Sequence, residues 1–148
     1  MTGEGGPLAA RVGIGTGPVV VGELIGGNLA LIAHCTGTES DIKTKGKILF
    51  IEDVGEYLYN IDRMMYQLKR SGKFKKLGGL IVGGFTDSRD TDRPFGATAE
   101  EIIRDVVCEY DFPVCFGFPV SHGKENVALK VGVGYKLKVS KTKATITE

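Results

Sequence analysis

No stretch of the 148 residues approaches the roughly 20 consecutive apolar residues that cross a bilayer, and no basic segment followed by an apolar one opens the chain. Neither a membrane span nor a signal peptide is expected. Charge of one sign is also lacking. Nineteen Lys and Arg against 18 Asp and Glu give a net charge of +1, and the cations are scattered apart from Lys69-Arg70 and the stretch from Lys73 to Lys76. Without a basic stripe interleaved with aromatics, no nucleic-acid partner is expected. The three cysteines, Cys35, Cys108 and Cys115, form an odd set with no C-x-x-C spacing. They suit buried thiols in a reducing compartment, so a cytoplasmic location is expected. There is no tryptophan, and no G-x-S-x-G nucleophile elbow around Ser40, Ser71, Ser88, Ser121 or Ser140.

What remains is an ordinary globular composition, 42% hydrophobic and 25% charged, long enough for one core. Residues 1–20 read as a flexible glycine-rich lead-in and residues 21–148 as the domain proper. Gly13-Ile-Gly-Thr-Gly17 has the glycines of a phosphate-cradling loop. Such a loop follows a strand and opens a helix, whereas Pro18-Val-Val-Val reads as a strand, so a linker is the better reading. Beyond it, strands and helices alternate. Val19–Val21 reads as a short strand, and Asn28 caps a helix running to Cys35. Lys47–Glu52 reads as a strand buried on both faces, and Leu58, Ile61, Met64, Met65 and Leu68 fall at helical spacing. Leu80–Phe85 is a further strand, Thr98-Ala-Glu-Glu101 a capping box that opens a helix over Ile102–Tyr110, and Val114–Phe118 the next strand. Val127–Val131, Tyr135–Val139 and Ala144–Thr147 alternate like an antiparallel meander. The fold class is α/β, a single domain with a mixed sheet and a C-terminal antiparallel meander.

Two polar residues in apolar surroundings carry the chemistry. Glu52 ends the strand Lys47-Ile-Leu-Phe-Ile-Glu52, and side chains at strand ends are held rigidly yet face a cleft. It reads equally as a solvated strand terminus or as an acid paired with Arg63 or a lysine; Asp53 and Glu56 compete with it. Three acids this close evoke a hard-metal site, but no ligand loop follows, and no metal is expected. His122, one of two histidines, lies in Phe118-Pro-Val-Ser-His-Gly123. Imidazole is the side chain whose unperturbed pKa lies near neutrality, which suits a general base, although loops often carry histidines without chemistry. His34 reads as a helix residue that caps carbonyls or packs beside the core. A dyad with Cys35 is disfavoured because adjacent helical residues point about 100° apart. A carboxylate that orients an imidazole is two thirds of a hydrolytic triad, and no serine here completes it. Ser121 adjoins His122 but projects to the other side, and Ser88 sits in a polar turn.

The segments Gly26-Gly-Asn-Leu-Ala-Leu-Ile, Thr36-Gly-Thr38, Ile48-Leu-Phe-Ile-Glu-Asp-Val-Gly-Glu56, Ile61-Asp-Arg-Met-Met-Tyr-Gln-Leu68, Gly79-Leu-Ile-Val-Gly-Gly-Phe85 and Ser121-His-Gly-Lys-Glu-Asn126 resemble, in order, the C-terminal domain of the LD-carboxypeptidases. That family comprises serine peptidases of the muropeptide-recycling type and related microcin-immunity peptidases. The resemblance implies a swivelling β/β/α domain and a Ser-Glu-His triad. Glu52 and His122 occupy the acid and histidine positions, and the serine comes from a separate N-terminal domain that is absent here. It further implies a muropeptide substrate, or a peptide-nucleotide in the microcin-immunity branch, where a stacking aromatic at the cleft would be expected. It implies no cofactor, and a homo-oligomer with Phe85, Phe95 or the tail as possible contacts. On this reading the isolated chain is not expected to hydrolyse a peptide. The other class of reading is a binding or assembly module that kept the sheet and lost catalysis.

Overall fold

Asn28 ends one strand and begins one helix. Its side-chain oxygen accepts the Leu31 N–H, satisfying one of the amides that a helix start leaves without an intrahelical partner. The turn from strand to helix is repeated along the chain. The computed structural model describes the backbone of residues 8–10 and 12–14 and the whole of residues 19–148. Its elements are β1 (Leu8–Ala10), β2 (Val12–Ile14), β3 (Val20–Asn28), α1 (Leu29–Cys35), β4 (Ile48–Val54), α2 (Leu58–Arg70), β5 (Gly79–Thr86), α3 (Ala99–Val107), β6 (Val114–Phe116), β7 (Gly134–Val139) and β8 (Ala144–Thr147). The helices start where the sequence signals them, although α3 stops at Val107, short of the Tyr110 expected. Thr98 and Glu101 form the capping box of α3, and α2 gives way at Ser71.

Strands β3, β4, β5 and β6 are parallel and adjacent in chain order, so α1, α2 and α3 all cross on one face. Side chains of alternate strand residues point to opposite faces, and each face of this sheet meets a different partner. Leu49, Ile51, Leu80, Val82, Val114 and Phe116 pack against Leu29, Ile61, Met65, Leu68 and Ile103 of the helices. Ile48, Phe50, Ile81 and Cys115 face the other way, into a second core with Tyr135, Leu137, Val139 and Ile146 of the β7–β8 hairpin. The layers are strand on strand on helix, the β/β/α arrangement expected. This accounts for the unbroken apolar run of β4, whose first six residues are all buried.

The full sheet order is β1-β8-β7-β3-β4-β5-β6-β2. Its outermost strands, β1 and β2, are separated in the chain by Arg11 alone, so the sheet curls until its two edges come close. The lead-in read over 1–20 otherwise lies mostly outside the described residues, as does much of the Gly13–Gly17 loop. Strand β3 extends well past the three residues expected, because its second half pairs with β4 after its first half has paired with β7. Val127–Val131 is not a strand. Its flanks are spent on fastening loops: the Val127 N–H donates to the Pro119 carbonyl at 2.8 Å and the Gly132 N–H to the Leu24 carbonyl at 2.8 Å. The thiols also differ from expectation. Only Cys115 is buried, and burial pushes its thiol up to about 12; Cys35 is half-buried and Cys108 exposed.

The loop that leaves β6 docks on the end of β5. The Phe118 N–H donates to the Val82 carbonyl at 3.1 Å, and the Gly84 N–H donates to the Val120 carbonyl at 2.9 Å. Two glycines permit this approach. A Cβ at Gly83 would stand 2.1 Å from the Val120 oxygen, and one at Gly84 would stand 2.5 Å from the Ser121 Cβ.

Gly83→Ala is therefore expected to push the loop off β5, lowering stability by about 2 kcal/mol in urea denaturation and displacing the Val120 and Ser121 amide resonances. Unmoved amides at unchanged stability would contradict the packing. For the thiols, since the thiolate is the reactive form, a maleimide at pH 8 should label Cys108 first and Cys35 next, and should spare Cys115 until the chain unfolds. Prompt native labelling at Cys115 would show that the core between the sheets opens.

Candidate active site

Glu52 lies near the carboxyl end of β4 and points to the hairpin side of the sheet, two residues beyond Phe50 on the same face. It is 8% exposed. Beside it the β4–β5 ladder slips: Ile51 pairs with Val82, but Asp53 pairs with Phe85, so Gly83 and Gly84 together oppose Glu52. A bulge of this kind bends a strand and re-aims the residues around it. Here it opens a gap above Glu52 into which the loop of residues 118–122 settles.

His122 rides on that loop with its side chain 53% exposed, and its Nδ1 lies 2.8 Å from Glu52 Oε2. A ring nitrogen facing a buried carboxylate carries a proton, so Nδ1–H donates to Glu52, and when the ring is neutral Nε2 is the acceptor. Among the described residues no group hydrogen-bonds Nε2. The pair opens into a shallow cleft of about 300 Å³, walled by Phe50, Val120, Ser121, Gly123 and Asn126. The arrangement can take a proton from a hydroxyl brought to Nε2, hold the resulting imidazolium against Glu52, and return the proton to a leaving group.

The competing acids have other employment. Asp53, 3% exposed, accepts from Asn28 Nδ2 at 2.8 Å and from the Ala30 N–H at 3.1 Å, and so anchors the start of α1. Glu56 accepts from Asn60 Nδ2 at 2.8 Å. Arg63, a possible partner of Glu52 by sequence, instead lies over the Tyr59 ring, 5.0 Å from its centre. His34 bonds the Ala30 carbonyl one helical turn back, as its position suggested. Among the serines, Ser121 Oγ accepts the Gly123 N–H at 2.9 Å, Ser88 donates to the Phe85 carbonyl, and Ser71 and Ser140 each donate to a nearby carbonyl. No described serine hydroxyl bonds the His122 ring. The features that sequence reasoning missed are the Gly83–Gly84 bulge and Asn126. A glycine pair at the end of a buried strand was the available signal for the first. A wider recess of about 420 Å³ lies past the end of β5 on the helix side, lined by Leu58, Phe85, Ala97, Ala99 and Phe116. It is mainly apolar and brings no titratable pair together.

Comparison with known proteins covers the stretch of chain that holds these residues. Residues 21–137 match the model of the LD-carboxypeptidase C-terminal domain. The chain is 35% identical over 125 residues to the probable murein peptide carboxypeptidase of Bacillus subtilis, covering 84% of this chain and 39% of that protein. It is 31% identical over 133 residues to the microcin C7 self-immunity protein MccF of Escherichia coli, covering 87% of this chain and 37% of that protein. Among solved structures, the muramoyltetrapeptide carboxypeptidase of Oxalobacter formigenes superposes with a TM-score of 0.75 at 33% identity, over 93% of this chain and 49% of that one. The chain thus spans about two fifths of the length of the curated relatives it matches. With the family model covering most of its residues and the strand, bulge and loop in place to hold its paired carboxylate and imidazole, the chain belongs to the LD-carboxypeptidase C-terminal domain family.

Proposed function

We propose that Glu52 and His122 are the orienting acid and the general base of a serine-type LD-carboxypeptidase site, and that the nucleophilic serine is borne by a domain of the kind that makes up the rest of the longer relatives. The observation that carries the reading is the 2.8 Å contact between His122 Nδ1 and Glu52 Oε2, with Nε2 open to the cleft. In the first half of the reaction Nε2 takes the serine Oγ proton as Oγ bonds the carbonyl carbon of the terminal peptide link. The tetrahedral adduct then collapses as the imidazolium gives that proton to the leaving amine, releasing the terminal amino acid. Water repeats the sequence on the acyl-enzyme, again through Nε2. Glu52 fixes the tautomer throughout and stabilises the cation formed in each half. The substrate class is a muropeptide ending in D-alanine, in keeping with the activities named for the bacterial carboxypeptidases that the chain resembles. The same reading carries a cytoplasmic location and self-association. Phe95, 40% exposed, is available for a subunit contact, whereas Phe85 is packed partly on the core and the tail is bound up in β7 and β8.

Mixing this chain with the serine-bearing N-terminal domain of a relative should restore release of D-alanine from an L,D-tetrapeptide, followed by chromatography of the free amino acid. His122→Ala should abolish that activity, and Glu52→Gln should lower it by about 10⁴, the scale of neutralising a triad carboxylate in other serine hydrolases. Undiminished activity with His122→Ala would remove the catalytic role and leave the domain as a binding module.

A second expectation concerns the chain alone. Since Ser88 and Ser121 are engaged with backbone groups, a serine-directed phosphonate should label neither. A covalent adduct on Ser121 would place the nucleophile inside this domain and overturn the divided site.

A further inference from the structure

Asn126 stands in the wall of the His122 cleft, and the reaction as described gives it no task. Its Oδ1 accepts the Ser121 N–H at 3.3 Å. A backbone N–H needs an acceptor, so this contact decides which end of the carboxamide is which: the oxygen faces Ser121, and Nδ2 with its two hydrogens is turned away from it. No acceptor of the protein takes Nδ2 among the described residues. Ser121 in turn accepts the Gly123 N–H through Oγ. The amides on both sides of His122 are thus tied by side chains, and the imidazole is carried between two pinned residues. The turn has little else to hold it, because its own residues from His122 to Asn126 are all exposed.

We propose that Asn126 is a positioning and specificity residue. Its Oδ1 fixes the His122 turn through Ser121, and its Nδ2 donates to the terminal carboxylate of an acyl-amino acid held in the cleft. The second half rests on the carboxypeptidase reading, since only a substrate cut at its last residue brings a free carboxylate beside the base; the first half stands on the loop geometry alone. Among the other side chains of the cleft, the Ser121 hydroxyl hydrogen is a second donor without an acceptor among the described residues, while the groups around Glu52 and His122 are spent. Glu52 is an acceptor already engaged, His122 Nδ1 is committed to Glu52, and the Gly123 N–H is taken by Ser121. A side-chain amide suits the position because it offers a donor without a charge that would pull Glu52 away from the imidazole. Lys124, the cation nearest His122 in the turn, adds a field of the sign that a carboxylate needs.

Two variants separate the two duties. Asn126→Asp keeps an acceptor for Ser121 and loses the donor, whereas Asn126→Ala loses both. The isotope-labelled chain would be titrated with N-acetyl-D-alanine, and with its carboxamide as the uncharged control. In the unsubstituted chain the acid should shift the amides of residues 121–126 and the carboxamide should not. In Asn126→Asp the affinity for the acid should fall by about tenfold or more, while hydrogen exchange at the Ser121 amide stays within about twofold of the unsubstituted chain. In Asn126→Ala the binding should be lost as well, and Ser121 should exchange about tenfold faster. Absence of cleft shifts in the unsubstituted chain, or full affinity in Asn126→Asp, would overturn the donor role. Unchanged Ser121 exchange in Asn126→Ala would overturn the positioning role. None of these readouts needs turnover. Their failure with reconstituted activity intact would sink the assignment of Asn126 alone, and their success with His122→Ala still active would sink the carboxypeptidase reading alone.

Discussion

Two glycines at the end of β5 decide how near His122 can come to Glu52. The loop carrying the histidine lies on the backbone of Gly83 and Gly84, and a methyl group at the first would overlap the Val120 carbonyl. The same pair forms the slip in the β4–β5 ladder that leaves Glu52 facing a gap instead of a neighbouring side chain. Close approach and open space are usually at odds in a packed sheet. Here one bulge supplies both, and the hydrogen bond between residues 70 positions apart in the chain depends on it.

Glu52 is hardly exposed to solvent. A carboxylate taken out of water without a partner is strongly disfavoured, and His122 Nδ1–H supplies the partner. The dependence runs both ways. The imidazole is half-exposed and on a loop, so it is Glu52, on a strand buried on both faces, that gives the ring a fixed orientation. Asp53, the next residue, points to the other face and is engaged with Asn28, the first turn of α1 and the Val54 N–H. The alternation of a strand thus assigns one acid to the cleft and its neighbour to holding up a helix.

The placement of the site follows from the topology. Three helices cover one face of the parallel strands and the β7–β8 hairpin covers the other, so the loops at the carboxyl ends of the strands are where side chains can converge with access to solvent. Nε2 of His122, unbonded among the described residues, is the atom presented there.

Much of this was legible in the sequence. The unbroken apolar stretch of Ile48 to Ile51 announced a strand buried on both sides, the spacing of Leu58 to Leu68 announced a helix with one apolar face, and Thr98 with Glu101 wrote a helix start into four residues. The isolation of Glu52 and His122 in apolar context, with the family resemblance, singled them out before any geometry. Such signals are local, because periodicity and capping act over one or two turns of chain. What only the tertiary structure decided is everything that depends on distant strands meeting. It decided that Val127–Val131 fastens a loop instead of pairing, that Asp53 and Glu56 are spent on neighbours while Glu52 is not, and that Gly83 and Gly84 make room for the histidine. A glycine in a sequence shows that space is available. Which backbone will come to fill that space is fixed by the pairing of β5 with β6 and the path of the loop that follows, and no short stretch of residues records it.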